Sequence, residues 1–163
     1  MIKVGILTVS DRSSRGERDD LSGPALQKIV KDQKWVVSKM AIVPDDHEEI
    51  KNSLIAWTDN DRLDLILTTG GTGFAHRDIT PEATLAVIDR QSPGLAEAMR
   101  AESLKITDHA MLSRAVTGIR KSTLIINLPG SPKAASENLG FVLSVIPHAI
   151  QLLKDDPEAE SSH

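Results

Sequence analysis

The chain has 163 residues, 40% of them hydrophobic and 26% charged, which suits one globular domain with a sizeable core. Its net charge of -4 supplies no basic field for nucleic acid, although local N–H groups and a few Arg or Lys can still surround an anion. The absence of cysteine excludes disulfides, thiolate nucleophiles and Cys-ligated zinc. No apolar run approaches a membrane span. The start, MIKVGILTVSDR, is too short and too β-branched for a signal peptide, so the expectation is a cytoplasmic protein without a membrane.

Ile2 to Val9 is almost wholly apolar, as a strand buried on both faces should be. The polar stretch SDRSSRGERDDLSG follows and reads as a mobile loop with little that can pack. A helix is expected near Pro24, with Leu26, Ile29 and Val30 on one face. Trp35 to Val43 reads as a second strand. The next helix, from about Asp46, places Ile50, Leu54 and Trp57 on one side. Leu63 to Thr69 is a third buried strand, and helices from Pro81 and Pro93 present Leu85 and Ile88, then Leu95, Ala98 and Met99. SRAVTGIRKSTLIINL suggests a hairpin turning at Lys121-Ser122. The last helix carries a regular ladder, Ala135, Leu139, Val142, Ile146, Ile150 and Leu153, kinked at Pro147. Strands alternating with helices predict a three-layer α/β/α sandwich with a mostly parallel sheet. Residues 1–154 form its single domain, and 155–163 a frayed polar tail.

The strands share one exit chemistry. The first leaves through Ser10-Asp11, the second through Pro44-Asp45-Asp46, the third through Thr69-Gly70-Gly71-Thr72-Gly73, and a later one through Pro129-Gly130-Ser131-Pro132. Thr80 and Ser131 stand as N-caps before Pro81 and Pro132. In an open α/β sheet such exits share the carboxyl edge, where ligands bind. Glycines let the backbone approach a ligand closely, and Gly70 to Gly73 would offer N–H donors to an anion. Asp45 and Asp78 repel a phosphate unless a divalent cation lies between, and Mg2+ suits one or two carboxylates plus phosphate oxygens. A phosphate-bearing ligand with Mg2+ is the sharp reading; a tight turn, and a helix cap at Asp46, are the bland ones. No Gly-Lys-Ser/Thr follows, so this is not a P-loop, and the dinucleotide spacing is missing too. His47-Glu48-Glu49 lacks the second histidine of a zinc helix, and His76, His109 and His148 have no ligand spacing. Arg12, Arg15, Arg77 and Lys133 stand near the proposed edge and can meet anionic groups or simply solvent.

At these residues the chain resembles the molybdopterin adenylyltransferases of molybdenum cofactor synthesis, the MogA/MoaB type. The resemblance is carried by Thr8 to Arg12, Val43 to Asp45, Thr68 to Gly73, Arg77 to Thr84, Ser92 to Gly94, Leu112 to Arg114 and Leu128 to Pro132, in order along nearly the whole chain. It implies transfer of AMP from ATP to molybdopterin with release of pyrophosphate, in the presence of Mg2+. It implies a homotrimer and a separate downstream insertase that uses the product. By the same resemblance Asp45 and Asp78 are the catalytic and metal-binding pair, with Asp46 an alternative to Asp45. The loop Gly70, Gly71, Thr72 and Gly73 would hold the pterin's terminal phosphate. Ser10, Asp11, Ser113, Ser131 and Pro132 are expected to line the substrate site. A carrier or scaffold that binds molybdopterin without adenylylating it is the rival reading.

Overall fold

The computed structural model describes residues 1–155; the expected polar tail, apart from Asp155, lies outside the described residues. The chain forms β1 (Lys3–Val9), α1 (Asp11–Ser14), α2 (Ser22–Asp32), β2 (Val36–Val43), α3 (His47–Asp59), β3 (Leu65–Thr69), α4 (Thr80–Leu85), β4 (Arg90–Gln91), α5 (Pro93–Leu104), β5 (Thr117–Arg120), β6 (Thr123–Leu128), α6 (Pro132–Val142) and α7 (Ile146–Leu153). Single 3-10 turns span Asp108–Leu112 and Leu143–Val145.

The sheet order is β2-β1-β3-β6-β5-β4. The strands β2, β1, β3 and β6 are parallel, and β5 and β4 add an antiparallel margin. The register brings Val9 opposite Val43, Thr8 opposite Thr69, and Thr69 opposite Leu128. All four exits singled out in the sequence therefore open on one edge. The chain goes to one side of β1 to make β2, then to the other side to make β3, so a switch point lies between β1 and β3.

Alternation along the strands divides the apolar residues between two cores. Val4, Ile6, Leu65, Leu67, Leu124 and Ile126 face Leu26, Met99, Leu139 and Ile146 of α2, α5, α6 and α7. Leu7, Val9, Ile66 and Ile125 face Ile50, Leu54 and Trp57 of α3, with Ala83 of α4. Helices thus cover both faces of the mostly parallel sheet, as the alternating pattern predicts. Burying each large aliphatic side chain contributes roughly 1.5–3 kcal/mol, so these two layers hold the strand exits in place.

Several local expectations are corrected. The stretch after β1 is not an unstructured loop: Ser10 accepts a hydrogen bond from the Ser13 amide (3.1 Å) and caps α1. The following helix begins at Ser22, near Pro24 as expected. Thr80 is not an N-cap but the first residue of α4, and its hydroxyl donates to the Gly70 carbonyl (2.9 Å). That helix ends at Leu85, which is exposed, while Ala83 and Val87 are buried. On α5 it is Ala96 rather than Ala98 that is buried beside Met99. The C-terminal ladder holds, but the helix breaks into α6 and α7 around a 3-10 turn, with Pro147 in the first turn of the new helix rather than in a kink.

Candidate active site

At the switch point the ends of β1, β3 and β6 enclose a cavity of about 320 Å³. Ser10, Asp45, Gly70, Gly71, Asp78, Ser131 and Pro132 all line it. Helix geometry explains why Asp45 rather than Asp46 faces inward. The Asp46 carboxylate accepts a hydrogen bond from the Glu49 amide (3.0 Å) as N-cap of α3, so it is turned along that helix. Ser131 caps α6 by accepting from the Ala134 amide (3.1 Å), and Pro132 occupies the first turn.

The glycine loop is built by two constraints at once. Gly70 and Gly71 have φ of +102° and +69°, conformations that L side chains rarely adopt. A Cβ on Gly70 would stand 2.2 Å from the Val9 carbonyl oxygen, and one on Gly71 2.3 Å from the Thr80 hydroxyl and 3.1 Å from Asp45 Oδ1. Gly73 similarly leaves room for Asp78, whose Oδ2 would lie 2.9 Å from its Cβ. The loop therefore runs against both carboxylates. The Gly70 amide is not free for a ligand, because it donates to the Leu128 carbonyl (3.1 Å). Among the described residues the amides of Gly71, Thr72 and Gly73 have no protein acceptor.

Residues 5–155 match the family described as "Probable molybdopterin binding domain". The chain belongs to this family. It is 45% identical to the molybdopterin adenylyltransferase of Helicobacter pylori J99, over 93% of this chain and 88% of that one. It is 48% identical to gephyrin of Dictyostelium discoideum over 96% of this chain, but it spans 23% of that much longer protein. Its fold superposes on the molybdopterin biosynthesis enzyme MoaB of Thermus thermophilus with a TM-score of 0.91 and 52% identity, covering 96% of this chain and 99% of that one.

Within this family member the acids are coupled. The Asp11 amide donates to Asp45 Oδ2 (2.9 Å), and the Asp45 amide donates to Asp11 Oδ1 (3.0 Å). Arg77 grips Asp11 through Nε (2.5 Å) and Nη2 (3.0 Å), and Nη2 also reaches the Asp45 carbonyl (3.0 Å). Asp11 thus turns toward Arg77 and is not among the residues lining the cavity. The Arg77 hydrogen bonds hold the Asp11 carboxyl below its usual range. Asp45 moves the other way. Burial pushes its carboxyl up, and the neighbouring charges of Asp11 and Asp78 add to the push. A carboxylate raised by burial and like charges is one that gains from a cation.

The other predicted residues line a second cavity that shares the glycine loop. Thr72, Gly73 and Ser113 line this cavity of about 380 Å³, with Phe74, Arg100, Ile106, Leu112 and Pro129 in its wall. The two cavities share the glycine loop, Gly71 lining one and Thr72 the other. The surface of the first is mainly polar and that of the second mainly apolar, although Arg100, His109 and Glu137 stand in the second wall.

Asp20 and Arg114 also join the site. Asp20 lines the acidic cavity and accepts from the Thr8 hydroxyl (2.9 Å) and the Gly23 amide (3.0 Å). Its signal was present as an Asp three residues before a glycine at a helix start, the spacing of a cap. Arg114 closes the matching segment Leu112 to Arg114, but nothing local marks what it does, because its partners lie 32 to 41 positions away.

Proposed function

We propose that this protein is a molybdopterin adenylyltransferase that joins AMP from ATP to the terminal phosphate of molybdopterin and releases pyrophosphate. The observation that carries the reading is the pairing of Asp45 and Asp78 against the ligand-facing glycine loop, at the switch point of the sheet. The similarity to the Helicobacter pylori adenylyltransferase over nearly the full length of both chains supports the same activity. In the transfer, a phosphate oxygen of the pterin forms a bond to the α-phosphorus of ATP as the bond to the β-phosphate oxygen breaks. The nucleophile is already ionised, so no strong general base is needed, and positioning and charge neutralisation carry the rate.

The residues fit Mg2+. Asp45 and Asp78 are hard oxygen donors on one cavity, Asp45 is raised by burial and like charge, and glycine leaves open the space that a Cβ would fill beside each acid. Asp45 and Asp78 would hold the ion, which supplies Lewis-acid neutralisation of phosphate charge. The amides of Gly71 to Gly73 would receive the pterin phosphate, and Ser10, Ser131 and Pro132 would flank the nucleotide phosphates. Asp11 would set the Asp45 backbone. The apolar second cavity, with Ser113 at its wall, suits a planar heterocycle.

Residues 1–154 would act as one unit, as a homotrimer in the cytoplasm, handing the adenylylated pterin to a separate insertase. Among the described residues no helix is long and apolar enough to cross a membrane. Incubation with molybdopterin, ATP and Mg2+ tests the reading. Adenylylated pterin and pyrophosphate in equal amounts are expected. Saturable pterin binding without either product would make the protein a carrier.

A further inference from the structure

We infer that Arg114 is a positioning residue: it staples both ends of the loop that carries Asp78, and so sets the acid used in the adenylyl transfer proposed above. The chain from Gly73 to Ile79 leaves the sheet edge and returns to α4. Its turn closes on itself, since the Ala75 amide donates to Asp78 Oδ2 (3.0 Å) and the Asp78 amide to the Ala75 carbonyl (2.9 Å). That closure fixes the shape of the turn but not its place on the protein. Arg114 supplies the place. Its Nε donates to the Gly73 carbonyl (2.7 Å), its Nη2 to the Asp78 carbonyl (2.6 Å), and its Nη1 to the Glu82 carboxylate on α4. Its own amide donates to the Thr72 carbonyl (2.8 Å).

One planar guanidinium therefore spans the start of the loop, its end and the next helix. A lysine ammonium, a point charge on a flexible stem, does not present this fork. The backbone that carries Arg114 is held independently of its side chain. Arg100 Nη1 donates to the Ala115 carbonyl (2.9 Å), and the Val116 amide donates to Asn127 Oδ1 (3.1 Å) on β6. Trimming Arg114 thus frees the Gly73 and Asp78 carbonyls while leaving its own segment anchored. Thr80 also ties this loop back, its hydroxyl donating to the Gly70 carbonyl (2.9 Å) and its amide to the Gly71 carbonyl (3.1 Å), and Arg77 clasps Asp11, but neither reaches the Gly73 and Asp78 carbonyls that Arg114 spans.

The test compares wild type, Arg114→Lys and Arg114→Ala by two readouts. The first is amide hydrogen exchange at Ala75 and Asp78 in the substrate-free protein, where roughly tenfold faster exchange is expected in both variants. The second is steady-state kinetics, where Arg114→Lys is expected to lower kcat on the order of tenfold or more while KM for ATP and molybdopterin stays within roughly twofold. Unchanged exchange in both variants would overturn the inference. So would KM, kcat and Tm all deteriorating together in Arg114→Lys, the pattern of a strut that supports the fold alone. If wild type makes no adenylylated product, the proposed reaction fails, yet the exchange arm still decides whether Arg114 holds the loop.

Discussion

Asp45 is the residue whose electrostatics can be checked most simply. Its folded pKa is raised, so at neutral pH the ionised carboxylate opposes folding, and that opposition vanishes as the pH falls below the ordinary carboxylate value. Asp45→Asn keeps an acceptor for the Asp11 amide and removes the like charge. It should therefore unfold at an equal or higher temperature than wild type at pH 7, while turnover falls on the order of a hundredfold; a thermal melt beside a rate assay checks both. The glycines separate two roles in the same loop. Gly71→Ala places a side chain at φ +69° and 2.3 Å from a Thr80 hydroxyl already committed to the Gly70 carbonyl, so it should destabilise by roughly 1–3 kcal/mol in urea unfolding. Gly73→Ala has no positive φ to strain and meets the Asp78 carboxylate instead. It should lower turnover with little change in the urea midpoint.

Elements with a repeating apolar pattern were legible because burial imposes the repeat. The strands β1, β3 and β6 and the ladder of α6 and α7 follow from side chains that alternate or recur every three to four residues against a packed face. Elements held by polar contacts at a distance were not. The two-residue β4 exists because it pairs with β5, through Arg90 opposite Ile119; the short α1 has a local cap at Ser10 but buries no residue, so no apolar repeat marks it. The same distinction runs through the site. Asp45, Asp78 and the glycine loop stand out as local motifs, whereas Asp11 turning to Arg77, the Thr8 contact of Asp20 and the contacts of Arg114 depend on folding. Another such tie joins α3 to β5. Asp59 accepts from Arg120 Nε (3.1 Å) and Nη2 (2.8 Å), and Lys121 adds a third contact (3.1 Å). These hydrogen bonds lower the Asp59 carboxyl from 3.8 to about 2. A lowered folded pKa stabilises above the unfolded value, so this contribution is complete above about pH 4 and is lost as the pH falls toward 2. Asp59→Asn should reduce stability at pH 7 and flatten the acid limb between those values, as followed by melts across pH.

At the scale of the whole molecule, the sheet order places four strand exits on one edge, and the glycine loop divides that edge into an acidic cavity and an apolar one. A phosphate chemistry on one side and a flat ring on the other match the two parts of the proposed transfer. Around the apolar cavity Phe74, Ile106, Met111 and Leu112 remain exposed, a surface that assembly would cover. Sedimentation equilibrium should give three times the chain mass, and a monomer at micromolar concentration would remove the proposed trimer. The most direct test of the central claim is the reaction itself. Purified wild type and Asp78→Asn are each mixed with molybdopterin, ATP and Mg2+, and adenylylated pterin and pyrophosphate are quantified. Both products are expected from wild type, with a loss of most turnover in Asp78→Asn and pterin binding retained. Equal rates from the two proteins would remove Asp78 from the chemistry, and pterin binding by wild type without product would contradict the adenylyltransferase.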